Sequence, residues 1–227
     1  MPIYKKVNKN FFKKWSDDMA YVLGFFAADG NMLKNKRGSC FIEFHITDKN
    51  LLYSIRSLLE SNHKISERLR KDGWKLGYRL QIGSYEMFQD LLKLGFTQNK
   101  SKTLQFPNVP DKFMQPFVRG YFDGDGGVYC GMYKRKENGK LRFVFKSSFT
   151  SGSKNFLLKL HDVLKKQASI KGGFLCNKSG NYELSLSHHD SLALYQFMYN
   201  NVSTSTYLQR KKEIFEKAFK RLGYMRW

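Results

Sequence analysis

Asp29 and Asp125 close two segments of the same pattern, YVLGFFAADG from Tyr21 to Gly30 and FVRGYFDGDG from Phe117 to Gly126. Each segment holds a small residue, a second small residue four positions later, and then Asp-Gly. A carboxylate at a helix C-terminus opposes the helix dipole by about 0.3–1 kcal/mol, and two such carboxylates brought together repel. A divalent cation offsets both penalties. Mg²⁺ suits a donor set of carboxylate, backbone carbonyl, water and phosphate oxygens, so Asp29, Asp125 and the carbonyls of Ala28 and Gly124 are the candidate metal ligands. The chemistry open to them is metal-assisted phosphodiester hydrolysis. A single Asp-Gly would be an ordinary helix-ending turn; its duplication in one chain favours two half-sites around one reaction centre.

Such a site needs helices that can meet. Residues four apart share a helix face, which pairs Gly24 with Ala28 and Gly120 with Gly124. Glycine inside a helix costs about 1 kcal/mol relative to alanine, so these residues predict close packing of the two motif helices along their small faces.

The order of elements after each motif is also repeated. NLLYSIRSLLE from Asn50 and NFLLKLHDVLKK from Asn155 are apolar-periodic helices. GYRLQI from Gly77 and NYELSL from Asn181 alternate as strands, and helices follow at YEMFQDLLKL from Tyr85 and DSLALYQFMY from Asp190. The reading is α+β: two pseudo-symmetric αββαββα repeats, residues 1–106 and 107–227, with Pro107 and Pro110 interrupting any helix in a linker over 107–113. The second repeat is longer in its first hairpin, where Asn138-Gly139 predicts a two-residue turn. Tyr207–Trp227 reads as a closing helix.

Strand alternation sorts the side chains. Cys40, Ile42, Phe44 and Ile46 share one face, leaving Glu43, His45 and Thr47 on the other; Arg79 and Gln81 likewise oppose Leu80 and Ile82. In the second repeat, Arg142 and Lys146 oppose Leu141, Phe143 and Phe145, with Ser148 on the open side. A one-sided antiparallel sheet leaves such a face in water as a matter of course. Its recurrence in a chain with 40 Lys and Arg against 19 Asp and Glu, net charge +21 over 227 residues, favours a polyanionic partner. The candidate nucleic-acid-contacting residues are Lys34, Lys36, Arg37, Glu43, His45, Arg68, Arg70, Lys75, Arg79 and Gln81 in the first repeat. In the second they are Tyr129, Tyr133, Arg135, Arg142, Lys146, Ser148, Asn177, Lys178, Glu183 and Ser185.

Other classes fit less well. No run approaches the 18 or more apolar residues of a membrane span, and MPIYKKVNKNFFKKW lacks the apolar core of a secretory signal. Cys40, Cys130 and Cys176 are far apart with no CxxC, which predicts neither a disulfide framework nor structural zinc and suits a reducing compartment. DGDGG from Asp123 fails as a calcium loop because Val128 and Lys134 stand where Gly and Glu are needed. His188-His189-Asp190 has no accompanying zinc-ligand spacing.

The paired motifs, their separation and the repeated element order together resemble the single-chain, two-repeat LAGLIDADG homing endonucleases over nearly the whole chain. The resemblance implies two saddle-shaped sheets on DNA joined at the motif helices, with the last acid of each motif, Asp29 and Asp125, binding the metal. The preceding motif acid is Asp123 in the second repeat but Ala27 in the first. It further implies polar and basic residues around the acids; Lys100 and Lys211, matched between repeats, fit phosphate stabilisation or tuning of the attacking water, and Asp48 and Ser151 fit ordering of that water. The implied activity is a Mg²⁺-dependent double-strand break with short 3′ overhangs. Two sheets with strands of about 8–10 residues would follow a nonpalindromic site of roughly 18–20 base pairs, bound by a monomer without a protein partner. An intron RNA maturase and a noncatalytic DNA-binding regulator on the same fold are the alternatives.

Overall fold

A computed structural model describes residues 5–69, 75–200, 202 and 206–223. The first motif forms helix α1 (Asp17–Asp29), followed by β1 (Gly30–Lys34), β2 (Cys40–Ile46), α2 (Lys49–Leu58), β3 (Ile65–Arg68), β4 (Gly77–Gly83) and α3 (Tyr85–Lys93). The second motif forms α4 (Met114–Asp125), followed by β5 (Gly126–Lys134), β6 (Leu141–Ser151), α5 (Lys154–Gln167), β7 (Phe174–Lys178), β8 (Asn181–Leu186) and α6 (His188–Tyr199). A further helix, α7 (Gln209–Leu222), closes the described chain. The architecture is α+β with two αββαββα repeats, and the additional helix distinguishes the second.

Each repeat contributes a four-stranded antiparallel sheet, ordered β1-β2-β4-β3 and β5-β6-β8-β7. By compactness the chain divides into Met1–Gly124 with Ser203–Thr206, and Asp125–Val202 with Tyr207–Trp227. The motif helix α4 thus packs in the first unit up to its penultimate residue.

Helix α1 begins where Ser16 accepts from the Met19 amide (3.1 Å) and two acids, Asp17 and Asp18, occupy its first turn, both favourable at a helix N-terminus. Every residue from Met19 to Ala27 is buried, the pattern of a helix enclosed on all sides. In the first sheet, Met32, Ile42, Phe44, Leu80 and Ile82 form the core-facing side, with Phe44 in ring contact with Phe25 and Phe26. In the second, Phe145, Phe149, Leu184 and Leu186 do so, and Phe145 meets Phe215 and Phe219 of α7.

The register aligns the repeats residue by residue. Gly30 pairs with Phe44 and Gly126 with Phe149, so Phe149 corresponds to Phe44, Ser148 to Glu43 and Ser153 to Asp48. The longer hairpin lies where the sequence put it, with β5 and β6 running to 9 and 11 residues against 5 and 7 for β1 and β2. Its turn is not the expected two-residue one. Arg135 and Lys140 still bond (2.9 Å), and Gly139, at φ 68°, ends a wider loop by donating to the Arg135 carbonyl. Gly139 serves as the left-handed closing residue of that loop.

Candidate nucleic-acid interface and acidic centre

Helices α1 and α4 meet through their glycines. A Cβ added to Gly24 would overlap the Phe117 carbonyl oxygen, and one added to Gly120 would overlap that of Tyr21. A Cβ on Gly124 would overlap the Ala28 Cβ and stand 3.3 Å from Asp29 Oδ2. The small faces therefore bring the backbones into direct contact, and the Asp29 carboxylate lies against the α4 backbone one residue before Asp125.

Helix α1 ends at Asp29 and α4 at Asp125, each followed directly by the first residue of a strand. The last carbonyls of a helix lack intrahelical partners. Lys100, in a single 3-10 turn (Lys100–Lys102), donates from Nζ to the Ala27 carbonyl at 2.9 Å and is only 6% exposed. Lys211, in the first turn of α7, donates to the Gly126 carbonyl at 2.5 Å and is 5% exposed. Neither lysine is a solvated helix-end charge. Each places a cation where a helix C-terminus and its acid carry negative charge, a favourable arrangement electrostatically. The two are not equivalent in detail, since one reaches a carbonyl two residues before its acid and the other one residue after.

Asp123, the motif acid that the first repeat replaces with Ala27, has a local role. It is buried and accepts from the Tyr21 hydroxyl at 2.7 Å. Arg119, also buried, stacks over the Tyr21 ring at 5.6 Å and donates to the Thr206 carbonyl. Asp18 is pushed above the usual carboxylate range, by burial first and then by Asp17, against the opposing pull of Arg119.

Asp48 and Ser151 are not positional counterparts. Asp48 caps α2 by accepting from the Leu51 amide at 3.1 Å, and Ser153 caps α5 by accepting from the Phe156 amide at 3.3 Å. Ser151 ends β6, is buried, and accepts from the Ser153 amide. His188-His189-Asp190 opens α6, whose N-cap residue Ser187 makes no side-chain capping bond. Asp190 pins the α5–β7 loop by accepting from the amides of Lys171 and Gly172 at 2.8 and 3.2 Å.

On the open face of the first sheet, His45, Arg79 and Gln81 are half-buried, while Lys36 and Arg37 in the β1–β2 turn, Lys34, Arg68 and Lys75 are exposed. Arg70 lies outside the described residues. The expectation that Glu43 stands available on this face is corrected: it is 3% exposed, because Gln81, His45, Arg79 and Asn31 close over its carboxylate. Burial comes first in holding the His45 pKa below its ordinary value, with the charges of Arg68 and Arg79 adding to it and Glu43 opposing.

On the second sheet, pairing places Tyr129 opposite Lys146, Tyr133 opposite Arg142, and Ser148 opposite Ser185 on one face. Glu183 accepts from Lys178 (2.7 Å) and Ser185 (2.8 Å). Arg135 sits in the hairpin loop. Asn177 is on the opposite face, as its pairing with Tyr182 requires, and its Oδ1 accepts from the Gly180 amide in the β7–β8 turn. Alternation read on β8 alone could not fix the parity of β7. The same register adds Asn31, Phe41 and Ser66 to the first open face and Val144, Thr150 and Phe174 to the second. Asn31, Ser66 and Phe174 are placed by pairing with another strand, whereas Phe41, Val144 and Thr150 follow from alternation with Glu43, Arg142 and Lys146 along their own strands.

At the end of each motif helix the available donors are carboxylate and carbonyl oxygens. Among the described residues no group of three or more His, Cys, Asp or Glu gathers as a metal cage. Such a set fits a hard cation that keeps water and takes phosphate oxygens, and does not fit a structural zinc. The three cysteines carry free thiols, and no helix among the described residues is long and apolar enough to cross a membrane.

Residues 16–95 match the LAGLIDADG-like domain. An uncharacterised protein of Methanocaldococcus jannaschii is 25% identical over 217 residues, covering 89% of this chain and 71% of that protein. The DNA-directed RNA polymerase subunit Rpo1C of the same organism is 27% identical over 113 residues, which is 49% of this chain and 13% of the subunit. Among solved structures, the I-LtrWI LAGLIDADG homing endonuclease bound to target DNA superposes with a TM-score of 0.60 at 11% identity, covering 96% of this chain and 92% of that one. The I-SmaMI LAGLIDADG homing endonuclease bound to cleaved DNA gives 0.58 at 14% identity, covering 93% and 91%. At these identities the structural likeness is one of fold.

Proposed function

Because the chain carries a LAGLIDADG-like domain and the two-repeat LAGLIDADG fold, we propose that it is a site-specific, divalent-metal-dependent DNA endonuclease that makes a double-strand break in a long asymmetric target. The observation that carries this reading is the pairing of each motif acid with a buried lysine at the end of its helix, Lys100 on the Ala27 carbonyl and Lys211 on the Gly126 carbonyl. Burying an ammonium costs several kcal/mol, and a charge kept at that cost at the end of each motif helix supports a role in the reaction.

In this reading Asp29 and Asp125 hold divalent metal, Mg²⁺ by the hardness of the donors, with the Ala28 and Gly124 carbonyls as further oxygens. The metal supplies Lewis-acid activation of water and stabilisation of the leaving oxygen. Lys100 and Lys211 stabilise the charge that builds on the phosphate. The open sheet faces position and read the duplex as a monomer, each repeat taking half of roughly 18–20 base pairs, and the cuts leave short 3′ overhangs. Residues 107–113 join the repeats.

The test is cleavage of a randomised double-stranded DNA library with Mg²⁺ by the wild type and by the Asp29→Asn, Asp125→Asn double variant, with the cut ends sequenced. One long motif with staggered ends, absent with the variant, is expected. Enriched binding without metal-dependent cutting overturns the nuclease reading in favour of a regulator, and RNA-stimulated splicing without DNA cutting favours a maturase.

A further inference from the structure

An acid on a surface meant for DNA faces a polyanion, yet Glu43 sits in the middle strand pair of the first sheet's open side. Its burial resolves the conflict. Both carboxylate oxygens are occupied: Oε1 accepts from Gln81 Nε2 at 2.8 Å and Arg79 Nη1 at 3.3 Å, and Oε2 is engaged by His45 Nε2 at 3.1 Å and Asn31 Nδ2 at 3.4 Å. An ionised carboxylate only accepts, so His45 must donate from Nε2. A neutral ring then leaves Nδ1 as an acceptor, and Arg68 Nη1 stands 3.5 Å from it. The chain of donors runs from Arg68 through His45 to Glu43, with Gln81, Arg79 and Asn31 converging from the other sides.

Taking one hydrogen from each neighbour decides what those neighbours still offer. Gln81 keeps its carbonyl oxygen and one amide hydrogen, a donor and acceptor side by side, which matches the N7 and N6 groups of adenine in the major groove. Arg79 keeps Nη2 and the second hydrogen of Nη1, a two-donor edge that matches the O6 and N7 acceptors of guanine. Residues two apart on a strand are separated by about 7 Å, or roughly two base-pair steps. The second repeat has no copy of this device, because Ser148 stands at the position of Glu43 and Ser185 at that of Gln81.

We infer that Glu43 is a positioning residue that fixes the outward hydrogen-bonding groups of Gln81 and Arg79, and thereby sets a preference for two purines about two steps apart in the half-site read by the first repeat. This rests on the endonuclease reading above. Without the carboxylate, the Gln81 amide is free to turn over and present its groups in reverse order, and the Arg79 guanidinium loses the anchor that aims it.

The experiment profiles cleavage specificity on a randomised library for wild type, Glu43→Gln, Glu43→Asp, Gln81→Ala and Arg79→Ala, with a thermal melt of each. Glu43→Gln should relax discrimination tenfold or more at the same two positions that Gln81→Ala and Arg79→Ala relax, and at no others, with Glu43→Asp intermediate. If Glu43→Gln melts too low to assay, Glu43→Asp carries the comparison. Unchanged discrimination in a folded Glu43 variant, or relaxation at a position neither neighbour controls, overturns the positioning role while leaving the nuclease intact. A wild type that cuts no sequence in the library removes the endonuclease reading itself, and the inference with it.

Discussion

Gly24 and Gly120 fill reciprocal positions in the packing of α1 against α4: each lies where any Cβ would strike a carbonyl oxygen of the facing helix, that of Phe117 for Gly24 and that of Tyr21 for Gly120. A carbonyl fixed in a helix can retreat only if the helix moves. Ordinarily Gly→Ala in a helix stabilises by about 1 kcal/mol, and here that gain is outweighed by overpacking, which costs about 1–3 kcal/mol and more against backbone. Gly24→Ala and Gly120→Ala should each lower stability by about 2 kcal/mol in urea titrations. Gly38→Ala makes a poor control because of its positive φ. Gly83→Ala, where the nearest atom is a Phe41 ring carbon at 3.4 Å, should change stability far less.

The buried lysines separate catalysis from stability. Lys100→Met and Lys211→Met keep most of the apolar volume but leave the Ala27 and Gly126 carbonyls without their donors, at about 1–3 kcal/mol each, so rates are compared well below the melting temperature. If the ammonium groups act on the phosphate, single-turnover cleavage should fall about 10²-fold in each variant, the usual cost of losing one preorganised donor, with DNA affinity nearly kept. Equal losses in affinity and rate would mark the lysines as ground-state phosphate contacts instead.

The family resemblance implies that Asp48 orders water, and the residue also caps α2 through the Leu51 amide, as Ser153 caps α5. Asp48→Ser retains a capping oxygen, whereas Asp48→Ala should cost about 1 kcal/mol of stability. Cleavage measured well below the melting temperature distinguishes the roles. Normal rates in Asp48→Ser would assign the residue to capping alone, and a rate loss in both variants would keep it in the reaction.

Much of this was legible because local patterns carried it. The paired Asp-Gly segments, the small faces and the repeated helix and strand periods are all properties of neighbouring residues. What escaped depends on distant partners. Glu43 alternates as an outward residue within β2, and only the arrival of Arg79 and Gln81 from β4 buries it. Asn177 and Lys178 look alike beside one another, and pairing with β8 sends them to opposite faces. Lys211 resembles the many solvated cations of a strongly basic chain until α7 is laid against β5. The equivalence of Asp48 with Ser153 needed no distant partner, since each stands two residues before the matched Asn50 and Asn155.

Three histidines make stability fall on mild acidification. Burial is the leading cause of a lowered pKa in His45, His63 and His188, with added repulsion from Arg68 and Arg79, from Lys5 and from His189 respectively. The unfolded chain therefore binds more protons than the native one between the ordinary histidine value, about 6.5, and the lower native values. Stability rises with pH wherever that holds, so it is complete above about pH 6.5 and is lost as the pH drops below it. The melting temperature should be level from pH 8 to 7 and decline from about 6.5 toward 5. His63, buried beside Ser61 with its Nδ1 2.8 Å from that hydroxyl, lies off the open sheet face, so His63→Gln should flatten part of the decline without altering DNA binding. A melting temperature constant to pH 5 in the wild type would show that the imidazoles are not held neutral by burial.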